Sequence, residues 1–83
     1  VNTSVSIDHD CIVGAHSHLA PGTTLSGQVT VESNVHVATG CSIINNVSIG
    51  CNTIVGVGAN ITKSIPKNSI AYGAHSIIKG LGE

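Results

Sequence analysis

The chain has 83 residues, a net charge of −1 and a charged fraction of only 8%. Its only lysines and arginines are three lysines near the C-terminus, so it lacks the basic patch of a nucleic-acid-binding protein, and no apolar stretch approaches membrane-spanning length. Its three cysteines, Cys11, Cys41 and Cys51, are an odd number without a metal-type CxxC pairing, which favours a reducing, cytoplasmic location.

A six-residue repeat runs from Ile7 to Ile61. Every sixth residue is aliphatic, and the ten members are Ile7, Val13, Leu19, Leu25, Val31, Val37, Ile43, Ile49, Val55 and Ile61. Two residues before each of them lies a small or β-branched residue, and the residue between the two is mostly polar. This in–out–in alternation predicts one short β-strand in every repeat.

A corner position follows each strand, three residues after the aliphatic residue. Six of its ten members are Gly or Asn, which tolerate positive φ: Asp10, His16, Gly22, Gln28, Asn34, Gly40, Asn46, Asn52, Gly58 and Ser64. The glycines recur every 18 residues, so three repeats predict one triangular coil that stacks on the next. The sequence therefore predicts an all-β, parallel β-helix of about three to four coils over residues 1–64, with a short C-terminal cap over residues 65–83.

The first corner carries a candidate catalytic group. The segment VSIDHDCIVG, residues 5–14, places His9 between Asp8 and Asp10, and its position in the repeat points the imidazole away from the interior. Neutral imidazole is suited to general-base catalysis near pH 7, and a neighbouring carboxylate can fix its tautomer. A solvated polar corner without chemistry is the alternative, and the residues alone leave both interpretations open.

The repeat and the segment VNTSVSIDHDCIVGAHSHLAPGTTLSG, followed later by IPKNSIAYG, resemble the hexapeptide-repeat acyltransferases. The similarity extends over nearly the whole chain and is greatest to the bacterial sugar acetyltransferases, which include sialic acid O-acetyltransferases and N-acetyltransferases of nucleotide-linked amino sugars. The resemblance implies a left-handed β-helix, a homotrimer, and transfer of acetyl from acetyl-CoA to a sugar amine or hydroxyl. Family members usually carry an additional N-terminal domain for the nucleotide sugar, and none is expected in this chain.

The resemblance also implies roles for single residues. His9 would be the base, Asp10 its carboxylate partner, and His18 a contact to the acetyl carbonyl, while Asp8 would cap the turn. Acetyl-CoA would meet backbone groups at Thr39 and Val57, one coil apart. The family's tail usually reads Gly, any residue, Pro, Ala and a base. Here YGAHSIIKG departs from that pattern, which leaves Lys79 as the candidate substitute for the basic residue.

Two spacings bear on the mechanism. Cys11 falls in the inward phase of the repeat, which favours packing over a role as nucleophile and so favours direct acetyl transfer. His18 lies nine residues, or half a coil, from His9, so the two histidines should occupy different sides of the prism. A site that uses both would need two chains, in agreement with the trimer that the resemblance implies.

Two other functions remain open at this stage. His18, His36 and the nearby His16 raise the possibility of a zinc site shared between chains, as in γ-type carbonic anhydrases, although the ligand spacing differs from that family and no metal is expected. A non-catalytic β-helix scaffold is the other alternative. The zinc site would leave the acidic pair around His9 without a role.

Overall fold

The computed structural model describes residues 5–73 and 77–80, and in this part of the chain every regular element is a strand. No helix among these residues is long and apolar enough to cross a membrane. The strands are β1 (Ser6–Ile7), β2 (Ile12–Val13), β3 (His18–Leu19), β4 (Thr24–Leu25), β5 (Thr30–Val31), β6 (His36–Val37), β7 (Ser42–Ile43), β8 (Ser48–Ile49), β9 (Ile54–Val55), β10 (Asn60–Ile61), β11 (Ser69–Tyr72) and β12 (Ile77–Gly80).

The strands form three sheets, which are the three faces of a prism. Face A contains β1, β4, β7 and β10, face B contains β2, β5 and β8, and face C contains β3, β6, β9, β11 and β12 in spatial order. Ser6 pairs with Thr24 and His18 with His36, both in parallel register. Each partner is one predicted coil of 18 residues away, so the coil length is confirmed. The fold is a parallel β-solenoid of about four turns, consistent with the left-handed β-helix that the resemblance implies.

Positive φ marks the corners between the faces. Nine of the ten predicted corner residues have it: Asp10, His16, Gly22, Gln28, Asn34, Gly40, Asn46, Asn52 and Gly58. Asp10, His16 and Gln28 adopt φ of 60° to 62° without being Gly or Asn. Because the left-handed region costs an ordinary L-residue about 1–2 kcal/mol, the stacking of the coils must hold these corners in place.

The core is the inward column of aliphatic residues along the prism axis. Residues such as Leu19, Val31, Ile49 and Val55 have no exposed surface. Ile7 belongs to the same phase but is 40% exposed, and Val13 is half-buried, contrary to the expectation that all ten aliphatic residues lie inside. Both belong to the first coil, and among the described residues no earlier coil covers them.

The last coil is two residues shorter than the others. Ile49 bridges to Ile65 and Ile54 pairs with Ile70, each at a separation of 16 residues instead of 18. Ser64, the tenth predicted corner residue, therefore lacks positive φ, and Asn68 adopts it instead. The Ser64 hydroxyl accepts the backbone N–H of Ser48 at 3.0 Å, which makes up for a ladder bond lost at the shortened corner.

The parallel stack continues beyond residue 64 through β11. β12 then pairs antiparallel with β11 at the end of face C, where Ile70 lies opposite Lys79. The division between a β-helix over 1–64 and a cap over 65–83 stays a prediction, although the shortened coil does begin near that point. The tail positions Ala74, His75 and Ser76, at which the sequence departs from the family pattern, lie outside the described residues.

Candidate active site

His9 lies at the exposed corner between β1 and β2, where faces A and B meet. Its ring nitrogen Nδ1 is 2.8 Å from Asp8 Oδ1, and the same oxygen accepts the backbone N–H of His9 at 2.7 Å. Because an ionised carboxylate is only an acceptor, this hydrogen bond requires the proton on Nδ1, and in the neutral ring Nε2 then keeps its lone pair. The imidazole is 76% exposed, so that lone pair is accessible from solvent.

The two aspartates that flank His9 lie near different nitrogens of its ring, and only Asp8 makes a hydrogen bond. Asp10 Oδ2 is 3.9 Å from Nε2, too far for a hydrogen bond, although the charges would attract if the ring were protonated. The resemblance implied Asp10 as the carboxylate partner, whereas the hydrogen bond is made by Asp8. Donation from the ring, and then from the backbone N–H of His9, lowers the pKa of Asp8 below its ordinary value.

A depression of about 340 Å³ opens beside His9 and Asp8. Its other walls come from the next two coils and are Ser26, Gly27, Gln28 and Asn45. None of these four is among the predicted site residues, although the 18-residue period points to two of them, since Gly27 and Asn45 stand one and two coils after His9. Gly27 lies directly beside the ring, because a Cβ added there would make an ordinary van der Waals contact with His9 Cε1 at 3.6 Å.

His18 lies on face C and so does not share a face or a corner with His9, as its half-coil spacing predicts. It points outward beside His36 of the next coil, with the two ring centroids 6.2 Å apart. His16 occupies the corner before β3 and has positive φ. The described residues contain no group of three or more His, Cys, Asp or Glu that could hold a metal ion.

Thr39 and Val57 occupy the corner between faces C and A on successive coils. Both are exposed, Val57 to 76%, and the carbonyl of Thr39 accepts the N–H of Gly58 at 2.9 Å. The backbone N–H groups of Thr39 and Val57 have no backbone acceptor within the described residues. The corner is also open, because a Cβ added at Gly40 or Gly58 would meet no atom within 4 Å. This corner is therefore able to bind an extended ligand through main-chain groups.

The cysteines do not form a reactive group. Cys11 is half-buried and its thiol donates to the carbonyl of Ser26 at 3.1 Å, which fits the predicted packing role. Cys41 is buried at the same position of the repeat on face A, its thiol donates to the carbonyl of Gly56 at 3.0 Å, and desolvation raises its pKa. Neither thiol is held as a thiolate by a cationic neighbour, as a nucleophilic cysteine requires.

A second, larger depression of about 520 Å³ lies on face B and the corner that follows it. It forms where the shortened last coil leaves Ser64, Pro66 and Lys67 around Gly50. Glu32 also lines it, but one of its carboxylate oxygens already accepts the backbone N–H of Cys51 at 3.1 Å. None of the residues expected at the active site lines this depression.

No model of a known protein family matches the chain, and neither does any curated protein. Several solved structures match the chain. PerB from Caulobacter crescentus, determined in complex with CoA and GDP-perosamine, is 39% identical over 95% of this chain and 38% of its own, with a TM-score of 0.92. The UDP-N-acetylglucosamine acyltransferase of Arabidopsis is 32% identical over 94% of this chain and 27% of its own, with a TM-score of 0.91.

More distant structures share the fold. A maltose O-acetyltransferase from Clostridium difficile 630 is 20% identical over 98% of this chain and 65% of its own, with a TM-score of 0.66. The chain spans well under half the length of PerB and of the Arabidopsis enzyme. Its structural neighbours are hexapeptide-repeat acetyltransferases and acyltransferases, and their coiled β-fold is the fold of this chain.

Proposed function

We propose that this chain is the acetyltransferase domain of an enzyme that transfers acetyl from acetyl-CoA to a sugar, with His9 as the general base. The observation that carries the proposal is the hydrogen bond between Asp8 and His9, which leaves the exposed Nε2 free to accept a proton. The similarity to PerB and to the Arabidopsis acyltransferase supports the same reaction class.

In the proposed mechanism, His9 Nε2 removes the proton from the amine or hydroxyl of the acceptor as that group attacks the acetyl carbon. Asp8 stabilises the imidazolium that forms, and Asp10, 3.9 Å from Nε2, adds a second negative charge. Transfer is direct, since Cys11 is tied to a backbone carbonyl and no other thiol lies at this corner. The proton then leaves with the thiol of the departing CoA.

The groups that would hold acetyl-CoA lie elsewhere on the prism. This co-substrate supplies the activated acetyl group as a thioester. The free N–H groups of Thr39 and Val57 at the open corner would bind its amide-containing arm, and His18 would donate to the carbonyl oxygen on which negative charge develops. Lys79, exposed on β12, would lie toward the phosphate end.

The acceptor fits the depression beside His9. Its walls offer the hydroxyl of Ser26 and the amides of Gln28 and Asn45, which are neutral groups suited to sugar hydroxyls. Because PerB was solved with GDP-perosamine, a nucleotide-linked amino sugar is the first acceptor class we propose, with N-acetylation as the reaction. Sialic acid, as an O-acetyl acceptor, is the second class.

The site would be completed by a second copy of the chain. His9 lies at the corner of faces A and B and His18 on face C, so one chain does not present both to one substrate. We propose a homotrimer in which His18 of one chain faces His9 of its neighbour. This arrangement makes catalysis dependent on assembly.

The test is acetyl-CoA turnover with a panel of nucleotide-linked amino sugars and sialic acids, using wild type and His9→Ala. Loss of the base should lower turnover by about 10²–10⁴-fold while acetyl-CoA affinity, measured by calorimetry, stays nearly constant. His16→Ala is the matched control, because His16 is another exposed corner histidine without a carboxylate partner. A folded His9→Ala protein with near-normal turnover would show that His9 is not the base and that this corner is only a solvated turn.

A further inference from the structure

Two histidines form a pair on the outer surface of face C. His18 in β3 and His36 in β6 are direct partners in the parallel ladder, one coil apart. Their ring centroids are 6.2 Å apart, their planes are inclined by 32°, and both residues are exposed. The register of the β-helix fixes their backbones at neighbouring positions, so the pair is part of the fold.

Both rings are free to turn toward a common ligand. Neither side chain makes a hydrogen bond or an ion pair with another described residue, in contrast to His9, which Asp8 holds. An exposed, unpartnered imidazole changes rotamer at little cost. Neutral imidazole is also the commonest protein ligand for late first-row transition metals.

We propose that His18 and His36 together bind one divalent cation of this class, Cu²⁺, Ni²⁺ or Zn²⁺. With a metal–nitrogen bond of about 2.0–2.1 Å to each ring and an angle of about 90–110° between the bonds, the two centroids would be about 4.5–5 Å apart, so the rings must close by about 1–2 Å from the present 6.2 Å. The site is distinct from the three-ligand zinc centre considered above, since it needs no third protein ligand.

Within one chain, the described surroundings limit the protein ligands to these two rings. On face C, the neighbour of His36 on the side away from His18 is Ile54. It pairs with His36, and its side chain has no atom that could coordinate a metal. On the other side β3 is the edge strand of the sheet, so no described strand lies beyond His18. Water would complete the coordination, and affinity should follow the order Cu²⁺ above Ni²⁺, with Zn²⁺ below Cu²⁺.

Metal binding would interfere with acetyl transfer, an inference that rests on the proposed function. A ring nitrogen that bonds a cation cannot at the same time donate to the acetyl carbonyl, and the ion would also occupy the space in front of His18. Micromolar metal should therefore inhibit turnover, and a chelator should restore it.

The test is calorimetric titration of the whole chain with Ni²⁺, a cation that does not oxidise the free cysteines, for wild type, His36→Asn and His16→Asn. Loss of one of two ligands should weaken binding at least about tenfold, since even outer-shell partners are worth 10–100-fold. His16→Asn should bind as wild type does, because this corner histidine is outside the pair. Circular dichroism confirms that both variants, changed only at exposed positions, keep the fold.

A second measurement counts the ligands directly. Electron paramagnetic resonance of bound Cu²⁺, recorded after the accessible cysteines have been blocked by alkylation, should report two imidazole nitrogens in wild type and one in His36→Asn. If His36→Asn binds Ni²⁺ as tightly as wild type, or the Cu²⁺ spectrum is unchanged, the proposed site is wrong. If binding depends on His36 but no acceptor is acetylated, the metal site stands and the proposed function fails.

Discussion

At the scale of single residues, the two aspartates that flank His9 carry the same charge but differ in their geometry relative to its ring. Asp8 contacts the protonated nitrogen at 2.8 Å, and Asp10 lies 3.9 Å from the nitrogen that would accept a proton. The hydrogen bond sets the tautomer, because only a ring protonated at Nδ1 can donate to Asp8. In the proposed mechanism Asp10 would act only through its charge, once the imidazolium has formed.

We therefore predict that Asp8→Asn lowers turnover more than Asp10→Asn does. An amide at position 8 can donate to Nδ1 and so stabilise the wrong tautomer; the equivalent change in a buried catalytic triad costs about 10⁴-fold. Asp8 is 57% exposed, so we expect about 10–100-fold, and less than tenfold for Asp10→Asn. Steady-state kinetics of both variants test this prediction. A larger loss of turnover in Asp10→Asn would indicate that Asp10 is the carboxylate partner of His9.

The pKa of Asp8 gives a prediction that does not depend on the acceptor. Since folding lowers this pKa, the Asp8–His9 contacts stabilise the folded state fully above the unfolded value of about 3.9, and this contribution is lost as pH falls through the folded pKa. Carboxyl carbon NMR should find Asp8 titrating below its ordinary range in wild type and closer to it in His9→Ala. An identical titration in both proteins would mean that the hydrogen bond does not form in solution.

At the scale of the strand, the fold depends on a two-residue alternation repeated every six residues. In β5, Val31 is completely buried in the core, whereas Thr30 faces outward and is half-buried. Strand β5 pairs with β2 on one side and β8 on the other, so a change there affects both neighbouring coils.

Val31→Asp should prevent folding, while its neighbour Thr30→Asp should be tolerated with a loss of about 1 kcal/mol or less. The first buries an unpaired carboxylate in the centre of the stack, and the second leaves the charge at the surface. Thermal unfolding followed by circular dichroism separates the two. Cooperative melting of a soluble Val31→Asp protein would be incompatible with the inward position of this side chain.

At the scale of the whole molecule, the proposed site lies between copies of the chain. His9→Ala and His18→Ala should each be nearly inactive alone, but refolding an equimolar mixture should restore about a quarter of the wild-type activity. In random trimers about one site in four would pair an intact His9 with an intact His18. Light scattering gives the assembly state, and an active monomer, or a mixture that stays inactive, would exclude the shared site.

The sequence by itself determined the period, and with it most of the fold. The aliphatic column and the polar residues between its members predicted which side chains face inward, because side-chain direction alternates along a strand. Nine of ten corners were located from residue type and spacing, and the pairing of His18 with His36 followed from the coil length. These features repeat, so each local segment carries the same information as the next.

Only the tertiary structure decided the features that break the repeat. The last coil is two residues shorter, with the Ser64 hydroxyl bonded to the backbone of the previous coil, and Ile7 is exposed because no described coil covers it. That Asp8 rather than Asp10 makes the hydrogen bond to His9 depends on side-chain rotamers at a positive-φ corner. The depression beside His9 is built by residues 17 to 36 positions later in the chain, so only the stacking of coils brings its walls together.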